Sequence, residues 1–355
     1  MDFHFNNVWT RLAQEFPDRP ALICEGVTVS WASFENRAAR LAGVFKAHGV
    51  DPGASVGLYM LNCNEYTETH FACFKRAVCP INVNYRYQAD ELVYLLDNSD
   101  STAVVYHSSY APRIREIKER LPNLRLLIQV ADDSDEPLLE GALAYEEVIA
   151  SADPMPFEPG QYDDRYMLYT GGTTGMPKGV MYDNGGLAHW LVIGGFTGRG
   201  MEPPMSVEAA ITAAHQLSDM GGLHRSLPAC PQMHGTGMWI GTMVPLNCGG
   251  TVLTQRTQHL DTHILLSAIA EHQVSDLTIV GDAFARPLLA ALDSAAADGK
   301  PYDISTLKQV ASSGVMWSSE VKEGLLKHQD MVLNDIMGST EGSMGASISQ
   351  RGAAA

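Results

Sequence analysis

The chain has 355 residues, 45% hydrophobic and 18% charged, the composition of a folded protein with room for more than one compact unit. Its 41 acidic and 24 basic residues give a formal charge of −17, and no basic cluster is interleaved with aromatics, so nucleic acid is not an expected partner. No apolar run reaches the ~18 residues of a membrane span.

The opening "MDFHFNNVWTRLAQEF" lacks the basic-then-apolar order of a secretory leader. Its Val8, Leu12, Ala13 and Phe16 fall on one face of a helix. "ALICEGVTVS" predicts a hairpin turning at Glu25-Gly26. Ser30 is placed to cap a helix reaching about His48, with Phe34, Ala38, Leu41 and Phe45 inward. The strand-like runs "SVGLYML", "CPINVN", "TAVVYH" and "LRLLIQV" then alternate with helices over 66–75, 89–96 and 114–121. Short apolar strands separated by helices of this length predict an α/β fold, a parallel sheet covered on both faces. The acidic "ADDSDEPLLEG" is expected as a surface loop.

From Tyr166 a strand runs into "YTGGTTGMPKGV". Residues 194–232 are Gly/Pro-rich around a short helical piece. "GGTVLTQ", "DLTIVG", "LKQVASSG" and "MVLNDIMGSTEG" then suggest strands feeding Gly-containing loops, with helices between. Two units are expected, 1–165 and 166–355, and "ISQRGAAA" shows no closing helix or strand, so the end resembles a cut. The cysteines (Cys24, Cys63, Cys73, Cys79, Cys230, Cys248) form no redox or metal spacing, which suits reduced thiols in a cytoplasmic protein.

Four loops carry candidate chemistry. Gly171, Gly172 and Gly175 let backbone amides approach a ligand, while Thr170, Thr173, Thr174 and Lys178 add hydroxyls and one cation, a set suited to phosphate oxygens. It is not a Walker A loop, because Pro177 precedes the lysine and no Ser or Thr follows it. "MGSTEG" (337–342) offers the Glu341 carboxylate to Mg²⁺ beside a phosphate, and "SSGV" (312–315) ends another strand. "PQMHGTG" (231–237) sets His234 among apolar residues, a pocket-wall position or a satisfied core histidine. His259 and His263, with Asp261 between them, suit a solvated face better than a metal pair.

In this order the four loops closely resemble the adenylate-forming (AMP-binding) superfamily, which includes acyl-CoA synthetases, firefly-type luciferases and the adenylation domains of peptide synthetases. "FKRAVCPINVNYRYQADELVYLLDNS" is similar to the family's first-half segment. The resemblance implies the family's large N-terminal domain, with mixed, mostly parallel sheets flanked by helices. It implies that a carboxylic acid, a fatty or bulky apolar one, attacks ATP to give acyl-AMP and pyrophosphate, after which coenzyme A displaces AMP. ATP, Mg²⁺ and coenzyme A would be required, and a homo-oligomer is left open. Thr170–Lys178 would hold the β- and γ-phosphates, and Ser313, Gly314 and Val315 would line the adenine pocket. Asp335, Ile336, Met337, Gly338, Ser339 and Thr340 would complete the ATP site, with Thr340 near the α-phosphate and Glu341 on Mg²⁺. His234, Gly235, Met238 and Trp239 would face the acyl group, with Lys178, His234, Thr340 and Glu341 as the catalytic set.

The chain departs from the family pattern in two places. Met337 stands where an aromatic usually stacks on adenine. The interval from Lys178 to His234 is longer than in most relatives and resembles ligases for bulky or sterol-like acids, so a large acyl pocket is expected. The family's ribose-binding aspartate, hinge and small C-terminal domain with its lysine would lie beyond residue 355, so this chain is expected to turn over poorly alone. An amino-acid or aryl-acid adenylation domain is the alternative, although "PQMHGTG" offers no carboxylate to an α-ammonium. A nucleotide-binding module without catalysis is the alternative of another class.

Overall fold

The computed structural model describes residues 2–171, 175–339 and 342–352. Helix α1 (Phe5–Glu15) begins at His4, whose Nδ1 accepts the Asn6 N–H at 3.0 Å. Strands β1 (Pro20–Cys24) and β2 (Val27–Ser30) form the expected hairpin, with Glu25 and Gly26 at φ 48° and 80° as a two-residue turn of this hand requires. Ser30 caps α2 (Trp31–Ala47), its Oγ accepting the Ser33 N–H at 3.2 Å.

There follow β3 (Ser55–Tyr59), α3 (Asn64–Arg76), β4 (Cys79–Asn82), α4 (Ala89–Asn98), β5 (Ser101–His107), α5 (Ala111–Ile117), β6 (Leu126–Val130), β7 (Leu143–Ala144) and α6 (Tyr145–Ser151). The five strands form a parallel sheet in the order β4-β3-β5-β6-β7. Helix α5 starts ahead of the expected 114 because Pro112 sits in its first turn, where no intrahelical N–H is needed.

The second half holds β8 (Arg165–Thr170), β9 (Lys178–Asp183), α7 (Asn184–Thr197), α8 (Val207–Asp219), β10 (Arg225–Pro228), a π-helical segment (Thr236–Met243), α9 (Val244–Asn247) and β11 (Thr251–Thr254). It continues through α10 (Thr262–Glu271), β12 (Asp276–Ile279), α11 (Gly281–Ala297), β13 (Gln309–Ser313), α12 (Ser319–His328), β14 (Val332–Ser339) and β15 (Gly342–Ser349). β8 and β9 pair antiparallel as a separate ribbon. The larger sheet has eight strands in the order β15-β14-β13-β12-β10-β11-β1-β2, parallel from β14 to β1 and antiparallel at both edges.

The fold is therefore α/β with mixed, mostly parallel sheets. Strand β1, from the first of the two expected units, hydrogen-bonds to β11 of the second, and β2 joins the sheet through β1. The end is corrected in part: the Gly-rich stretch before "ISQRGAAA", together with its first two residues Ile348 and Ser349, forms β15, which pairs with β14. In "GSMGASIS" only Ile348 is a strong strand former, and the segment is paired along the β14 edge. Residues 198–224 contain α8, whose Ser206 cap accepts the Ala209 N–H at 3.1 Å and whose Val207, Ala210, Ile211, Ala214 and Leu217 are buried in the cluster that includes α1. Among the described residues no helix is long and apolar enough to cross a membrane.

Candidate active site

Strands β10, β13 and β14 run parallel, so their carboxyl ends and the loops that follow share one edge of the larger sheet. At that edge lies a cleft of about 240 Å³. Thr170 reaches it from the end of β8, and Trp190 from α7. His234, Gly235, Thr236, Trp239 and Ile240 form one wall, with Ser313 and Gly314 after β13 and Ile336 and Gly338 of β14 completing it. All four loops singled out in the sequence thus contribute to a single cavity. A groove of about 550 Å³ between the β1–β2 turn and α10 is larger, but none of the four loops reaches it.

The cleft is built with little backbone freedom. Gly314 has a φ of 101°, so a side chain there is strained even though the nearest atom to an added Cβ is 3.5 Å away. Gly237 has no room at all, since a Cβ would sit 2.3 Å from the Pro231 carbonyl oxygen. π-Helical turns are rare and are frequently found at functional sites. Here the turn sets Trp239 against the cleft, where its Nε1–H donates to the Tyr166 hydroxyl at 3.1 Å and Tyr182 packs edge-on at 5.3 Å. Trp190 is half exposed and shares the same cavity.

His234 is open to the cleft and is held by its backbone, its N–H donating to Pro231 O at 3.1 Å and its carbonyl accepting from Met238 N–H at 2.9 Å. Desolvation by the surrounding protein, and then the Arg86 guanidinium, push its imidazole below the ordinary histidine range. The ring is therefore neutral at pH 7, able to donate or accept one hydrogen bond without adding charge.

The remaining predicted residues fall in several places. Lys178 is exposed at the start of β9, in register with Thr170 across the ribbon whose turn is the glycine-threonine loop. Gly171 and Gly175 are exposed in that loop, Gly175 with a φ of 111°. Val315 and Met337 are more than half exposed and outside the lining. Met238 is buried in the core. Asp335 forms an ion pair with Lys322 at 2.8 Å, and Ser339 ends β14. Gly172, Thr173, Thr174, Thr340 and Glu341 lie outside the described residues.

His263 sits in α10 with Nδ1 2.5 Å from the Tyr302 hydroxyl, His259 precedes the helix, and Asp261 caps it by accepting from the His263 and Ile264 N–H groups. Among the described residues no group of three His, Cys, Asp or Glu side chains could hold a metal.

Sequence reasoning missed Asn62, Asn82 and Gln232, buried amides that grip the 230–233 stretch. A polar residue closing the apolar strand "CPIN" was the one available signal. It also missed a second cleft of about 500 Å³ at the carboxyl ends of β3, β4 and β5, lined by Tyr59, Tyr85, Arg86, Tyr110 and Arg113. An adjoining cleft shares Tyr85 and Arg86 and reaches Cys230 and Pro231, beside the His234 loop.

A cavity walled in part by loops at the carboxyl ends of parallel strands lies where α/β folds place their ligands. The chain belongs to the AMP-binding enzyme family, whose model matches residues 9–354. It is 37% identical to the medium-chain acyl-CoA ligase Mig of Mycobacterium avium over 350 residues, 93% of this chain and 61% of that protein. It is 36% identical to a 3-oxocholest-4-en-26-oate–CoA ligase of Rhodococcus rhodochrous over 345 residues, 95% of this chain and 60% of that one. The chain thus spans about three fifths of the length of these curated relatives. The crystal structure of the anthranilate CoA ligase AuaEII with anthranoyl-AMP superposes with a TM-score of 0.81 at 17% identity, covering 99% of this chain and 63% of that one, and so shares the fold.

Proposed function

We propose that this chain carries the adenylate-forming site of an acid–CoA ligase acting on a fatty or bulky apolar acid. The observation that carries the reading is the convergence of Thr170, His234, Ser313, Gly314, Ile336 and Gly338 on one cleft. The carboxylate attacks the α-phosphorus of ATP, the bond to pyrophosphate breaks, and acyl-AMP remains. A thiol then attacks the acyl carbon and AMP leaves. Thr170, Lys178 and the loop between them suit the pyrophosphate oxygens, and Gly314, lacking a Cβ, lets a flat ring approach the backbone. His234, neutral and open to the cleft, shares its lining with Thr170, Trp190 and Trp239, and can hydrogen-bond a reacting oxygen there. Mg²⁺ would be held by Glu341, outside the described residues, and would neutralise phosphate charge. Catalysis is then positioning and charge neutralisation.

Two features support the substrate class. Trp190, Trp239 and Ile240 make an apolar wall, and among the described residues no Asp or Glu lines the cleft to meet an α-ammonium. The names of the two relatives, a medium-chain and a steroid-acid ligase, point the same way. Within the long interval between Lys178 and His234, Trp190 lines the cleft, whereas α8 lies against α1 and residues 198–224 do not line it. Arg86 and Arg113 in the second cleft suit the phosphates of coenzyme A. Calorimetric titration with sulfamoyl-adenosine analogues differing only in the acyl group tests the reading. Binding should strengthen from aminoacyl to dodecanoyl and steroid acyl groups; equal binding across the series, or none, overturns it.

A further inference from the structure

The side-chain amide of Asn82 lies where two of the site's loops meet. It ends β4 in the smaller sheet and is buried, 7% exposed. Its Oδ1 accepts the Tyr169 N–H at 2.7 Å, and its Nδ2 donates to the Tyr169 carbonyl at 2.9 Å and to the Met233 carbonyl at 2.7 Å. An N–H can be met only by the oxygen and two carbonyls only by the nitrogen, so the partners fix the amide's orientation. Toward Tyr169 the amide behaves like the rung of a neighbouring strand and ties the β8–β9 ribbon to the smaller sheet. Tyr169 precedes Thr170, where the glycine-threonine loop begins, and Met233 precedes His234.

The geometry points to Asn82 as a positioning residue for adenylate formation: one amide sets the distance between the phosphate loop and the His234 loop. This rests on the function proposed above. Asn62 grips the same stretch two residues earlier, with Nδ2 donating to Cys230 O at 3.1 Å and Oδ1 accepting from Gln232 N–H at 2.7 Å, but it makes no bond to β8. Of the two, Asn82 alone spans both loops. Alanine at this position leaves each loop in place locally and removes the tie nearest both loops, with the Trp239–Tyr166 bond remaining farther along the same elements. Ligands that touch both loops should then suffer most.

The test compares dodecanoyl-sulfamoyl-adenosine, which spans the cleft, with AMP alone and dodecanoate alone, titrated against wild type, Asn82→Ala and the near-isosteric Asn82→Asp. We expect the spanning ligand to weaken tenfold or more in both variants, and each separate ligand by less than about threefold. Asp keeps the volume and the acceptor but loses both donor bonds, so a space-filling role predicts that Asp restores binding. Equal losses for all three ligands, or an Asp variant that binds like wild type, overturns the inference. Wild type failing to bind the spanning ligand counts against the proposed function instead. The clamp is then read without ligand from the His234 ring resonances, which should shift in Asn82→Asp while those of His263 stay fixed. An unmoved His234 signal overturns it.

Discussion

Gly314 separates two reasons for a glycine at a ligand site. An added Cβ would have ordinary clearance, 3.5 Å from Val280 Cγ1 and 3.9 Å from Thr236 Oγ1, yet the backbone φ is 101°. The requirement is therefore conformational, and an L-residue held there is strained by about 1–2 kcal/mol. Gly314→Ala should lower stability by that amount, read as a smaller free energy of unfolding in urea. It should also weaken AMP several-fold, because the loop relieves strain by leaving the conformation that lines the cleft. Unchanged stability with intact AMP binding would contradict the backbone argument. His234 shows the opposite case, where the residue type was legible in "PQMHGTG" but the neutral ring was not. That property comes from packing and from Arg86, 148 positions earlier in the chain.

Elements built on strong local signals matched their expectations, as with the hairpin at Glu25-Gly26 and the Ser30 cap. Elements whose place depends on distant partners were less legible. β15 is a strand only because β14 is beside it, and α8 gave little sign in the sequence of what it packs against. The segment bearing α8 is pinned at its two ends by one carboxylate. Asp276 on β12 meets Arg199 Nη2 at 2.6 Å and His224 Nδ1 at 3.0 Å. Burial raises the Asp276 carboxyl, but His224, Arg199 and Ser275 outweigh it and hold it at about 2. A folded-state value below the unfolded one, about 3.9, gives stability that is complete above pH 4 and lost as pH falls toward 2. The size is about 2 kcal/mol. Asp276→Asn should therefore destabilise the protein by about 3 kcal/mol at pH 7, since it leaves the partly buried Arg199 uncompensated. The gap from wild type should narrow between pH 4 and pH 2 in urea titrations. A gap independent of pH would mean that the ion pair contributes nothing.

At the scale of the whole molecule, the alternation of apolar strands and helices made the α/β class legible, but not the sheet order. Nothing in "ALIC" says that it pairs with "TVLT" more than 200 residues later. The four loops were legible because their glycine, threonine, lysine and histidine clusters are local in the sequence, whereas Asn82 was not, its partners lying 87 and 151 residues away. The same long reach joins the two clefts. Arg86 lines the second cleft, is stacked over Tyr85 at 5.5 Å, and its charge acts on His234 in addition to the larger effect of desolvation. Removing that charge should have two consequences that a local role cannot produce together. In Arg86→Ala, coenzyme A titrated into protein loaded with the dodecanoyl analogue should bind roughly tenfold more weakly, as expected for one lost phosphate contact. In the same variant the His234 imidazole, followed by NMR, should titrate at higher pH, because desolvation remains while the repulsion is gone. Binding of the dodecanoyl analogue itself at pH 8, where the ring is neutral in both forms, should not change. Weaker coenzyme A binding with His234 unmoved would separate the clefts electrostatically. A moved His234 with unchanged coenzyme A binding would take the acceptor thiol out of the arginine cleft.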